Sequence, residues 1–185
     1  MRCATESLSS QTTQRGFTLI ELMIVLVIVA LFASISVPAF QDTISRNRRL
    51  TALDSTLAML STARTAAVTR DARIALCPSS NQISCSGSAW EGGIIVFVDD
   101  GAGTGMPGDL SLSGSEEILA VSTQISGGVT IRTANFTDTD GIGFAAGGMA
   151  DQRGTLVVCG QPDAPAVAII LNISGQPRLA SDDNG

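Results

Sequence analysis

Arg15-Gly16-Phe17-Thr18-Leu19-Ile20-Glu21-Leu22 opens the stretch whose reading decides the fold. Residues 22–33 continue it as twelve unbroken apolar residues, and between Phe17 and Phe40 the only charge is Glu21. A helix over residues 17–40 spans roughly 36 Å, enough for a bilayer core of about 30 Å. Pro38 falls near its end, where a kink costs least, and Arg46, Arg48 and Arg49 follow as a polar stop. A secretory signal peptide cut after Val37-Pro38-Ala39 is one reading, and a plain membrane anchor is another. Neither accounts for Glu21. A carboxylate inside an apolar span costs about 2.5–3.5 kcal/mol at a helix centre and less near its end.

The octapeptide resembles the type III signal of type IV pilins and type II secretion pseudopilins, and the apolar helix that family requires follows it. The resemblance implies a leader over 1–16, cut between Gly16 and Phe17 by a membrane prepilin peptidase that also methylates the new amino group of Phe17. Glu21 becomes fifth in the mature chain. There its carboxylate faces the charged terminus of a neighbouring subunit and sets the axial register; buried charge is tolerated when paired. Pro38 stands where many relatives carry a helix-loosening proline. The flanking arginines do not favour an inside amino terminus, so orientation comes from the leader resemblance. It implies a single-pass protein of the bacterial inner membrane with its carboxyl-terminal domain in the periplasm, moving into a filament on assembly.

Beyond the apolar segment, Leu50, Leu53, Leu57, Leu60, Ala63 and Ala67 recur at helical spacing, with Arg46, Arg49, Asp54, Arg64, Arg70 and Asp71 as the polar complement. The spacing predicts one helix over 17–71, membrane-buried first and amphipathic second. After it come short β-type runs broken by glycine, at 73–77, 93–99, 117–122, 128–133, 141–145, 154–160, 166–173 and 176–180. Ser174-Gly175 predicts a terminal hairpin, and Pro177 confines its last strand to an edge. Residues 100–115 read as a mobile polar loop.

Leu76-Cys77, Cys85, Trp90-Glu91-Gly92-Gly93-Ile94-Ile95-Val96-Phe97 and Asp99 resemble the start of the GspH/FimT pseudopilin domain. Glu116-Glu117-Ile118-Leu119, Val157-Val158-Cys159 and Ser174-Gly175-Gln176-Pro177-Arg178 continue it. The implied fold class is α+β and pilin-like: a long amino-terminal helix packed on an antiparallel β-sheet domain over 72–185. The implied function is that of a minor pilin or pseudopilin placed near a filament tip. It serves secretion or pilus biogenesis, with other pilins, the peptidase and inner-membrane lipid as partners. Some FimT-type relatives are associated with DNA uptake through arginines near this tail, which makes Arg178 the candidate DNA contact. Here Gln176 replaces one of the two arginines.

Composition narrows the chemistry. The chain has 185 residues and a net charge of −6, and all eleven bases are arginine, with no lysine, histidine or tyrosine. Ser-His-Asp and Cys-His catalysis, histidine metal sites and Schiff-base lysines are excluded, and the chain is not expected to be an enzyme or to hold a cofactor. Residues 1–75 carry eight arginines and five acids, whereas 76–185 carry three arginines and twelve acids. Arg132, Arg153 and Arg178 on so acidic a domain neutralise few phosphates, which weighs against DNA. A cell-envelope location permits a disulfide. Cys77 and Cys85 bracket a short polar loop and form the expected pair; three reduced thiols, Cys159 included, are the alternative. Asp99-Asp100-Gly101 and Asp138-Thr139-Asp140-Gly141 invite a calcium reading, but Met149 stands where an EF-hand needs its bidentate glutamate. No metal is expected.

Overall fold

The computed structural model describes residues 16–180 except 88, 104, 126, 139 and 161–165, and leaves out the side chains of 35–39. Helix α1 runs Leu19–Arg70. Thr18 caps it: its Oγ1 accepts the Glu21 N–H at 3.3 Å, as an N-cap side chain does. At the other end Arg70 lies in the last turn, where the negative end of the helix dipole favours a cation. Asp71 then leaves the helix in the left-handed region, at φ 49°. α1 stays helical across Pro38. Its residues up to Gln41 belong to one compact unit, and those from Asp42 onward belong with the strands to a second.

In the first unit every described large apolar side chain from Phe17 to Phe32 is exposed. Among the described residues no helix is long and apolar enough to cross a membrane. The expected 17–40 span includes 35–39, whose side chains lie outside the described set.

The second unit holds β1 (Ile74–Pro78), β2 (Ile94–Val98), β3 (Ile118–Val121), β4 (Thr130–Ala134), β5 (Ile142–Phe144), β6 (Gly154–Cys159), β7 (Val167–Leu171) and β8 (Pro177–Leu179). They form two four-stranded sheets, ordered β3-β2-β1-β5 and β4-β6-β7-β8. Every pairing is antiparallel. The sequence leads one to expect a single sheet; the structure divides it because each sheet lays a face on the same helix-bearing core. That core draws Leu53, Leu60 and Ala63 from α1, Leu76 and Val96 from the first sheet, and Leu156 and Ile169 from the second. The terminal hairpin is β7–β8, turning at Gly175 with φ 74°, and β8 is an edge strand headed by Pro177.

The buried stripe of α1 differs from the expected one. Leu50 is 43% exposed, while Arg49, Ala52 and Thr56 are buried. Thr56 solves its polarity locally by donating its hydroxyl to the Ala52 carbonyl at 2.8 Å. A buried threonine with that bond is compatible with an apolar face, and an apolarity count misses it. Leu60 is 1% exposed. Leu60→Ala should therefore cost about 2–5 kcal/mol, and Leu50→Ala no more than about 0.5 kcal/mol, in chemical denaturation of the full chain. Equal losses would show that the helix faces the core differently.

Candidate functional site

The β1–β2 pair of the first sheet is buried on both faces: all residues of both strands are buried. Ile74, Leu76, Ile94 and Val96 face the main core. Ala75, Cys77, Ile95 and Phe97 form a second cluster, covered by Cys85, Leu110 and Leu112. Cys77 and Cys85 are joined by a disulfide, with Cα atoms 5.5 Å apart. The bridge folds the 78–86 loop back over this face. Asn81 Oδ1 accepts the N–H groups of Ile83 and Ser84, both at 3.0 Å. Cys159 is a free thiol, half-buried at the end of β6.

Within the polar 100–115 segment, particular described residues make defined contacts. Leu110 and Leu112 pack on the second cluster. Glu116, itself buried, accepts the N–H groups of Gly101 and Ser113 at 3.0 and 2.8 Å. Asp99 is fully buried; it accepts the Gly108 N–H at 2.8 Å and pairs with Arg73 Nε at 3.1 Å. Arg73 also binds the Asp151 carboxylate. A buried carboxylate demands such a partner, so Asp99 is occupied by a guanidinium rather than open to a cation. Asp138 Oδ1 accepts the Asp140 N–H at 2.9 Å, a local turn. Among the described residues no three Asp, Glu, Cys or His side chains gather as for a metal.

Trp90-Glu91-Gly92 forms a single 3₁₀ turn that joins the two sheets. Trp90 is buried beneath it. Gly93 has φ 129°, and a Cβ there would lie 2.8 Å from the Ser79 carbonyl and 2.9 Å from that of Ser122. Only glycine fits so tight a backbone approach. Glu91 accepts the Ile131 N–H of β4 at 3.1 Å and pairs with Arg132 at 3.1 Å. Burial opposes its ionisation, but the backbone hydrogen bonds and Arg132 outweigh that and hold its pKa below the ordinary glutamate value.

The remaining candidates lie apart. Gly16 and Phe17 precede α1, and Phe17 is 85% exposed. Glu21 stands in the first helical turn. Thr18 and Glu21 have the spacing of a capping box, in which the glutamate also serves the helix end; the Thr-x-x-Glu pattern carries that signal in the sequence. Residues 1–15 of the expected leader lie outside the described set. Arg178 is exposed on β8 and borders a shallow hollow of about 470 Å³ with Arg153, Asn135 and Asn172.

The family model for the type II transport protein GspH matches residues 52–175, and the prokaryotic N-terminal methylation motif matches residues 11–37. The chain belongs to the GspH family. Its fold is pilin-like. The minor pilin FimU of Pseudomonas aeruginosa superposes with a TM-score of 0.55 over 74% of this chain and 90% of that one, at 18% identity. The Moraxella bovis type IV major alpha-pilin and the Neisseria gonorrhoeae major pilin PilE are each 57% identical over 35 residues. That stretch is 19% of this chain, and the chain spans only about a fifth of the length of either pilin, 22% and 21%. The matched family and fold do not support the DNA-binding alternative.

The depressed pKa of Glu91 sets a pH dependence. The folded state holds this proton less readily than the unfolded state. The stability it supplies is complete above the ordinary glutamate value of about 4.3 and is lost as pH falls through the lower folded value. The melting temperature of Glu91→Gln should therefore fall short of the parent's at neutral pH, and the gap should narrow on acidification through that range. A gap constant with pH would remove Glu91's charge from the account.

Proposed function

We propose that this protein is a non-enzymatic minor pilin or pseudopilin. It waits in the bacterial inner membrane as a single-pass subunit with its β-rich domain in the periplasm. From there it joins other pilin-like subunits in a type II secretion pseudopilus or a type IV pilus. One observation carries this reading: a prepilin-type motif heads an exposed apolar helix that continues without a break into the helix of the folded domain. A row of large apolar side chains exposed to water is unfavourable. Lipid covers it before assembly, and neighbouring helices cover it afterwards.

The division of the chain follows: a leader over 1–16, the helix over 17–71 with its span at 17–40, and the domain over 72–185. Prepilin peptidase cuts after Gly16 and methylates Phe17. Glu21 then pairs with the amino terminus of a neighbour and fixes the subunit's height in the filament, while Pro38 removes one backbone donor from α1 and loosens it locally. The domain supplies packing, and its disulfide and twin cores resist the strain of extraction.

Glu21 has two separable roles, helix cap and charge partner. Glutamine preserves a capping box but removes the charge. Both Glu21→Ala and Glu21→Gln should insert in the membrane at normal levels and be missing from sheared filaments of the host bacterium. Normal incorporation of Glu21→Gln would reduce Glu21 to a helix cap.

A further inference from the structure

Residues 76–185 carry three arginines, and folding gathers all three on one surface. In β6 Leu156 and Val158 are buried, so Thr155 and Val157 look outward; in β7 Ile169 and Leu171 are buried, so Ala168 and Ile170 do. Arg132 pairs with Val157 and Arg178 with Ile170, which puts both arginines on this outer face of the second sheet. Arg153, two residues before Thr155, joins them by the same alternation. The four strands of the sheet hold no acid. Glu91 occupies Arg132. Arg153 and Arg178 are exposed and make no ion pair among the described residues.

These two arginines border the hollow of about 470 Å³, with Thr155, Ile170 and Asn172 between them. They belong to the β6 and β8 sides of β7, two strand spacings or about 9.5 Å apart. The half-buried Ile170 forms an apolar floor. Two guanidiniums around such a floor suit a pair of carboxylates that flank an apolar side chain.

The loop lid on the outer face of the first sheet has that pattern. Asp100 and Asp109 are exposed and have no cation partner among the described residues. Backbone contacts fix both: Asp100 accepts the Ala102 N–H at 2.9 Å, and Asp109 those of Met106 and Ser111 at 3.1 and 2.9 Å. Met106 stands between them in the chain, 70% exposed. Both sheets lay their inner faces on the shared core, so the lid and the hollow look away from it on different sides. Both lie near the carboxyl-terminal end of α1. Asp99, beside Asp100, pairs with Arg73, three residues past the helix. Gly175, whose N–H donates to the Asn172 carbonyl at 2.8 Å, abuts the Gly148 carbonyl that Arg64 of α1 also binds. Neighbours standing side by side with α1 parallel can therefore bring lid and hollow together.

We propose that the acidic lid of one copy of this chain docks in the hollow of the next. Asp100 and Asp109 meet Arg153 and Arg178, and Met106 covers Ile170. The two patches differ, so the contact is heterologous and repeats from copy to copy instead of closing as a twofold pair. All copies keep their amino-terminal segments on the same side, and in this the contact rests on the filament reading above.

The test uses the full chain in detergent, with Cys3 and Cys159 replaced by serine and the native disulfide kept. Chains carrying Met106→Cys on the lid and Asn172→Cys at the hollow are mixed under mild oxidation. The covalent heterodimer should form about tenfold faster than either homodimer, because only the mixed pair lies within disulfide reach. Arg153→Glu with Arg178→Glu in the Asn172→Cys chain sets like charges together and should slow the heterodimer about tenfold. Both arginines are exposed, so the melting temperature should not move. Homodimers forming as fast as the heterodimer would overturn the proposal. So would a heterodimer rate that ignores the two reversals, or one that rises only when a different pilin-like subunit is added. A Phe17 amino terminus methylated in the host would still uphold the filament reading if this contact failed.

Discussion

Strands β1 and β2 are buried along their whole length and on both faces, and this constraint organises the second unit. A two-stranded ribbon of Ile, Val, Leu and Phe cannot leave either face in water. One face receives the amphipathic half of α1. The other has no helix available and receives a lid made of loops: the disulfide-closed 78–86 segment and residues 100–115. Loops carry unpaired backbone groups, so a loop lid must satisfy them itself. Asp99, Glu116 and Asn81 do so, each accepting backbone N–H groups. The acids of this half of the chain are thus partly internal ligands for backbone rather than a solvated surface.

The first unit poses the opposite problem. Its described large apolar side chains from Phe17 to Phe32 are exposed, and Glu21 sits at the helix start. A helix amino terminus favours a negative charge, so Glu21 is tolerable there in any setting.

Much of the architecture was legible in the residues. The helix ends at Leu19 and Arg70, within two residues of the expected bounds. All eight β-type runs are strands, because each alternates or clusters β-branched residues between glycine breaks. Sheet membership was not legible. β1 pairs with β5 across most of the domain and β4 with β6, and such partner choices depend on contacts that no local pattern encodes. The shifted helix stripe escaped because Arg49 and Thr56 are buried despite their polarity. The packing of Leu110 and Leu112 on the second cluster escaped because the polar composition of their loop conceals them. Arg73 gave no signal at all; its importance arises only when folding brings Asp99 and Asp151 to it. At the amino terminus the motif was plain, but the capping role of Thr18 lay unread within it.

The claim on which the functional account rests is that this chain is processed and used as a pilin-like subunit. Mass spectrometry of the protein isolated from its host's membranes tests this most directly. The account predicts a mature chain that begins at Phe17 with a methylated amino group. A chain beginning at Phe40 would mean that the apolar segment is a discarded signal peptide, and would contradict it.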